Sequence, residues 1–158
     1  MQKLRAIASS IVVFTLSVAL TGCGRNDWKA ETYPVTGTVK INGKDAVGAF
    51  VTFFADGQAV DVRESLPYGI VKEDGTFVVS TYEFENGAPA GTYRVTVRWL
   101  FEPHLAEDRL DGKFGAPERA VTTVTVKEGR NELPAILLDG VKVKTKSTET
   151  LFAVPRQM

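Results

Sequence analysis

The fold class follows from residues 92–99, which read Thr-Tyr-Arg-Val-Thr-Val-Arg-Trp. In an extended chain, successive side chains point to opposite faces, so the four apolar or aromatic side chains here share one face. This alternation predicts a β-strand with one face in the core and one in water, which is typical of antiparallel sheets. Residues 23–158 contain no long apolar period of 3.6 that would predict a helix.

Shorter alternating runs lie on both sides of this strand, at residues 35–41, 51–53, 77–79, 124–126 and 136–138. Six Asx-Gly pairs, from Asn42-Gly43 to Asp139-Gly140, separate the runs and mark tight turns, which need positive φ angles. Gly37 interrupts one run and predicts a bulge or a close backbone approach. Six or seven such strands within residues 33–139 predict an all-β fold, a β-sandwich.

The composition excludes several function classes. The 158 residues carry 19 basic and 19 acidic side chains, one cysteine and one histidine. A neutral chain is a poor nucleic-acid binder, so no nucleic-acid partner is expected. One cysteine excludes an intramolecular disulfide and a cysteine-rich zinc site. We therefore expect no metal and no catalytic residues; the covalent lipid described below is the only attached group expected.

The N-terminal residues 1–22 are typical of an export signal. Lys3 and Arg5 precede an uncharged run of 15 residues at 6–20. As a helix this run would span roughly 22 Å, which is short of the roughly 30 Å hydrocarbon core of a bilayer. It suits a cleaved signal helix better than a permanent membrane span. Its removal takes away two basic groups and no acidic one, which leaves a slightly acidic chain of 136 residues.

The signal ends at Leu20-Thr21-Gly22-Cys23, which resembles the lipobox of bacterial lipoproteins. The resemblance implies cleavage before Cys23 and attachment of a diacylglycerol and fatty acid (palmitate) to it. Gly24, where a retention signal would place Asp, favours the outer membrane. The alternative is an ordinary signal peptide with an incidental cysteine. Residues 23–32 would then be the acylated cysteine and a tether, with Trp28 either at the membrane interface or packed on the domain.

The domain resembles the carboxypeptidase regulatory-like family. The resemblance rests on the order of four short motifs, at residues 34–39 (Pro-Val-Thr-Gly-Thr-Val), 47–53 (Val-Gly-Ala-Phe-Val-Thr-Phe), 73–77 (Glu-Asp-Gly-Thr-Phe) and 89–95 (Pro-Ala-Gly-Thr-Tyr-Arg-Val). It implies a seven-stranded Greek-key β-sandwich of the prealbumin type over residues 33–139. Residues 140–158 continue beyond the pattern, as a C-terminal tail or an extra edge strand whose lysines block pairing.

The sequence offers few residues suited to catalysis. Ser65, Ser80 and Ser147 are the serines after residue 22, and none lies in a Gly-x-Ser-x-Gly motif. His104 lies in the longest connection, residues 100–119, without a matching nucleophile. The prediction is a protein that is not an enzyme. The alternative is a small-ligand hydrolase or carbohydrate-binding module that uses this connection.

Binding is the function class that remains, and the candidate binding residues are aromatic. Phe50 and Phe54 face opposite to the core side of their strand, so they mark a partner site unless the 100–119 connection or the tail covers them. Trp99 and Phe101 lie near a strand end, as do Tyr82 and Phe84, and could stack on sugars or simply pack in the core. We thus expect a membrane-anchored lipoprotein of the periplasm or cell surface: a non-catalytic interaction or structural module of the cell envelope, with a protein or polysaccharide partner.

Overall fold

The computed structural model describes residues 28–102 and 107–145. Over these residues the chain forms β-strands and a single 3₁₀ turn, Pro117–Arg119, which confirms the all-β prediction. The strands are β1 (Thr32–Tyr33), β2 (Val35–Ile41), β3 (Lys44–Asp45), β4 (Phe50–Ala55), β5 (Tyr68–Ile70), β6 (Thr76–Val78), β7 (Ala88–Pro89), β8 (Gly91–Arg98), β9 (Thr122–Val126), β10 (Asn131–Glu132) and β11 (Ile136–Leu138).

Most strands belong to two sheets. The first is fully antiparallel, in the order β5-β4-β8-β9. The second is built on β2, which pairs in parallel with β10 and β11 and antiparallel with β3 and β6. A separate two-stranded ladder joins β1 to β7 and fixes the start of the domain. The strand predicted at residues 92–99 is β8, at the centre of the first sheet.

The two sheets share one hydrophobic core. The alternation read from the sequence is correct for this core, because Val35 and Val39 of β2, Val51 and Phe53 of β4, and Tyr93, Val95 and Val97 of β8 are all fully buried or nearly so. The Phe53 ring lies 6.3 Å from the Phe77 ring and 6.0 Å from the Tyr93 ring, measured between centroids. Aromatic contacts therefore join the sheets at their centre.

Gly37 makes room for the Phe77 ring, which confirms the close approach predicted there. A Cβ atom added at Gly37 would lie 2.6 Å from Cζ of Phe77, and one added at Gly69 would lie 2.9 Å from Cδ2 of the same ring. The two glycines belong to different sheets, so one aromatic ring reaches the backbone of both. A side chain at either position would have to displace the ring.

The chain after β11 packs on the domain without forming a strand over residues 141–145. The Asn42 side chain donates from Nδ2 to the Val141 carbonyl at 2.7 Å, and its Oδ1 accepts the Val141 N–H at 3.0 Å. The Lys144 N–H donates to the carbonyl of Arg109 at 2.8 Å. Of the two forms considered for residues 140–158, a tail therefore describes the part up to 145, and residues 146–158 lie outside the described chain.

Candidate functional site

The described chain begins where the predicted tether meets the domain. Cys23, the predicted lipid attachment residue, and His104, the candidate base, both lie outside the described residues. Trp28 is half-buried, and its ring stands edge-on to the Tyr82 ring with a centroid distance of 5.4 Å. The Arg63 guanidinium lies 3.8 Å from the centroid of the same indole. Trp28 thus packs on the domain, which was one of its two predicted positions.

Polar contacts add to this aromatic one. The Tyr82 hydroxyl accepts the Ala30 N–H at 3.1 Å and donates to Oδ2 of Asp61 at 2.8 Å. Lys29 Nζ lies 3.4 Å from Oε1 of Glu83. Asp61 comes from the connection 56–67, and Tyr82 and Glu83 come from the connection 79–87, so two separate connections contact residues 28–30. We call Trp28, Arg63, Tyr82 and Asp61 the tether clamp.

The ionisation states of the clamp suit its hydrogen bonds. Burial raises the pKa of Asp61, but hydrogen bonds from Ser65, Tyr82 and the Arg63 N–H outweigh it, so the pKa lies below the usual 3.8. Burial, together with the neighbouring Asp61 carboxylate, holds the pKa of Tyr82 above 10.0. At neutral pH the carboxylate is therefore charged and the phenol is protonated, as the bond between them requires.

Exposed apolar side chains surround the clamp. Val62 and Phe84 are 85% and 87% exposed, and each lies within two residues of a clamp residue. Tyr68 and Ile70 of β5 are also exposed, and with Phe84 they line a groove of about 290 Å³. We call Val62, Leu66, Tyr68, Ile70 and Phe84 the apolar corner. Three of the five line one groove, and Val62 and Leu66 lie in the 56–67 connection that carries Asp61 and Arg63. Neighbouring exposed apolar side chains mark an interaction surface more often than scattered ones do.

The predicted interaction residues Phe50 and Phe54 lie beside this corner on the outer face of β4. Both are half-buried rather than freely exposed. Phe50 stands opposite Ile70 in the β4–β5 ladder. Phe54 lines a groove of about 210 Å³ with Leu66 and Pro117, so the 56–67 and 100–119 connections both border it. The 100–119 connection therefore covers this outer face only in part.

The other predicted pair, Trp99 and Phe101, lies over one cation. The Arg109 guanidinium is 4.8 Å from the Trp99 ring centroid and 5.1 Å from that of Phe101. The Trp99 indole N–H donates to the carbonyl of Val47 at 2.9 Å. The structure therefore brings these two aromatic residues together through Arg109.

Asp108 organises the same connection, a structural role that the sequence did not predict for it. Its buried carboxylate accepts the N–H groups of Trp99, Leu110 and Gly112 at 2.9, 3.0 and 3.2 Å. Three backbone donors occupy its oxygens, which is a structural use of a buried acid. Within residues 28–102 and 107–145, no three His, Cys, Asp or Glu side chains are grouped to hold a metal ion.

A second surface lies at the opposite edge of the sandwich. β9 is the last strand of the first sheet, and it borders an open groove of about 690 Å³ whose other wall is β10 and β11. β9 reads Thr-Thr-Val-Thr-Val and carries neither a charge nor a proline. Edge strands are usually protected by such residues, so this edge is unprotected by its own sequence.

Comparisons with known proteins add no relative. No protein-family model matches the chain, and neither the curated proteins nor the solved structures yield a match. Among the described residues, no helix has the length and apolar character needed to cross a membrane. The sequence did not predict roles for Arg63 and Asp61, because their partners Trp28 and Tyr82 are distant in sequence. The signal that could have found the corner was Val62 and Phe84, two apolar residues that each stand between two charged residues.

Proposed function

We propose that this chain is a lipid-anchored, non-catalytic β-sandwich module of the bacterial cell envelope, held outside the cytoplasm by acyl chains on Cys23. The observation that supports it best is the tether clamp. Trp28, five positions after Cys23, is packed against Arg63 and Tyr82. Two or three acyl chains suffice for stable anchoring, whereas one is marginal.

The finer fold assignment is part of the proposal. If β10 and β11 are counted as one interrupted strand and the two-residue strands β1, β3 and β7 are set aside, seven strands remain. Consecutive strands repeatedly change sheet, from β2 to β4, β5 to β6, β6 to β8 and β9 to β10. Such crossings favour the Greek-key, prealbumin-like sandwich implied by resemblance to carboxypeptidase regulatory-like domains.

The non-catalytic assignment is supported by how the 100–119 connection uses its groups. The Asp108 carboxylate is occupied by backbone N–H donors, and Arg109 lies against Trp99 and Phe101. Asp108 is therefore not available as a general acid or base, and Arg109 lies over each aromatic ring on which a sugar would stack. A small-ligand hydrolase or carbohydrate-binding module therefore remains the less favoured alternative.

The partner in this proposal is an envelope protein that contributes an extended segment to β9. The uncharged edge of β9 and the groove beside it fit strand addition, in which backbone hydrogen bonds supply affinity and side-chain pockets supply specificity. A polysaccharide is the alternative partner. A photo-crosslinking residue at Thr125 should then capture a protein from native membranes, and the same residue at exposed Lys44 should not. Equal capture at both positions would contradict this use of the edge.

The anchor is tested by Cys23→Ala. Wild-type protein should sediment with membranes, and the variant should leave the membrane fraction because no thioether can form. The clamp variant Arg63→Gln serves as the control and should stay with the membrane. Unchanged partitioning of Cys23→Ala would refute the anchor.

A further inference from the structure

We propose that the apolar corner rests in the bilayer interface, so that the sandwich lies against the membrane through Val62, Phe84 and the β5 edge. This inference rests on the proposed lipid anchor and goes beyond it. An anchor alone would leave the domain free to point in any direction. Contact through the corner gives it one orientation, with the β9 groove directed away from the lipid.

Exposure is the first argument. The described part of the chain leaves seven large apolar side chains exposed, and five of them form the apolar corner. Phe84 and Val62 are the most exposed of all, and each protrudes from a connection that the clamp holds in place. Aromatic and aliphatic side chains on rigid loops next to a lipid anchor are suited to the interfacial region of a bilayer.

Chain length is the second argument, and it selects lipid as the occupant. Trp28 lies five positions after Cys23, and a fully extended chain spans about 3.5 Å per position. The Cα atom of the acylated residue must therefore lie within about 17 Å of the Trp28 Cα atom. Val62 directly precedes Arg63, which stacks on that ring, and Phe84 follows two residues after Tyr82. The corner is thus the part of the domain that the anchor keeps closest to the bilayer.

Charge is the third argument, and it specifies the kind of contact. The described cations beside the corner are outnumbered by acids: Lys29 pairs with Glu83, Lys72 pairs with Glu85 at 2.6 Å, and Asp61 and Glu64 lie near Arg63 in sequence. Among the described residues, the corner therefore has no net positive patch to attract anionic lipid. Burial of apolar side chains must then drive the contact, so it should be equal on neutral and anionic membranes and insensitive to salt.

The test places a fluorescent probe at single positions of the full acylated protein in phosphatidylcholine vesicles. Because Cys23 is the only cysteine in the sequence and carries the lipid, an introduced cysteine supplies the one free thiol. A polarity-sensitive dye is attached at Val62→Cys, at Phe84→Cys and at the control Leu137→Cys, an exposed position on β11 at the far edge. Quenchers carried on the lipid acyl chains report which probe touches the bilayer.

The expected result is at least twofold stronger quenching at positions 62 and 84 than at 137, with the same values when one fifth of the lipid is anionic. Protein that floats with the vesicles but shows equal quenching at all three positions would overturn the corner contact and leave the anchor standing. Protein that does not float would overturn the anchor itself. A probe at 84 that responds to the concentration of lipid-free Cys23→Ala protein would instead assign the corner to a second copy of the chain and overturn the inference.

Discussion

The two lateral edges of the sandwich differ in how closely the two sheets approach each other. At the β5 edge the sheets are tied together by backbone hydrogen bonds between Tyr68 and Ser80, at 2.9 and 2.8 Å, and the Phe77 ring fills the space between Gly37 and Gly69. At the β9 edge the sheets part around a groove of about 690 Å³. The closed edge has part of its backbone ladder occupied by Ser80 and carries exposed apolar side chains. The open edge is lined by a strand without charge or proline.

This difference separates two kinds of recognition. A closed edge offers mainly side chains, which suits a fluid apolar partner such as lipid. An open edge offers backbone donors and acceptors, which suits an extended peptide. The tether clamp lies at the closed edge, so the residues that join the proposed anchor to the domain and the proposed partner site lie at opposite edges of the first sheet.

The largest effect should come from Phe77→Ala at the closed edge. Phe77 is fully buried and touches both sheets, so its loss should lower the free energy of unfolding by about 3–5 kcal/mol. The matched change at the open edge, Leu137→Ala, removes an exposed side chain and should cost less than about 0.5 kcal/mol. Urea denaturation of both variants measures the difference. Equal losses would show that the closed edge is no better packed than the open one.

Alkali should weaken both edges together, because Tyr93 lies in the central strand β8. Burial raises the pKa of Tyr93 from 10.0 to about 12. The neutral phenol is thus favoured by folding, so its contribution is complete below pH 10 and disappears as the pH rises towards 12. The loss is about 2.7 kcal/mol for a shift of two pKa units. Denaturation at pH 9 and pH 12 measures it, and Tyr93→Phe, which lacks the hydroxyl bonded to the Pro89 carbonyl, should show a shallower decline. An identical decline in that variant would remove Tyr93 as the cause.

A smaller effect should follow from Arg63→Gln, which removes the cation over Trp28 and leaves the sandwich intact. A cation–π contact of this kind contributes about 0.5–1 kcal/mol. The clamp should open more often, so chymotrypsin should cleave after Trp28 faster than in wild type. Arg130→Gln, at an exposed position near the open edge, is the control and should leave the cleavage rate unchanged. Equal cleavage of the two variants would mean that the tether is not held by Arg63.

The smallest effect should be a loosening of the clamp by acid. The pKa of Asp61 lies below 3.8 in the folded protein, so its contribution is complete at higher pH and is lost as the pH falls through that lowered value. In a Trp99→Phe background, Trp28 fluorescence should change below pH 3.8 before the core unfolds. Asp61→Asn should lack this step. A step that persists in the Asn variant would assign it to another group.

The sequence predicted the strands whose inward side chains are apolar, because burial of one face imposes a period of two. It missed β5 for a physical reason: the inward residue there is Gly69, and the two apolar residues Tyr68 and Ile70 face outward, so the pattern is inverted. The two-residue strands β1, β3, β7 and β10 are too short to show any period. Their pairing depends on neighbours that are distant in the chain.

The candidate site was harder to predict than the fold. Phe50 and Phe54 were correctly assigned to the outer face of β4, yet most residues that line the groove at Phe54 come from connections whose course has no local signature. The clamp joins Trp28 to side chains 35 and 54 positions later. Only the three-dimensional path of residues 56–67 and 79–87 brings those groups together.

The proposed lipid anchor on Cys23 underlies both the membrane contact of the apolar corner and the orientation of the β9 groove. The most direct test is the mass of the N-terminal peptide of protein purified from membranes. We expect a peptide that begins at Cys23 and carries the mass of a diacylglyceryl group, with or without a further acyl chain. A peptide that still contains residues 1–22, or an unmodified Cys23, would contradict it.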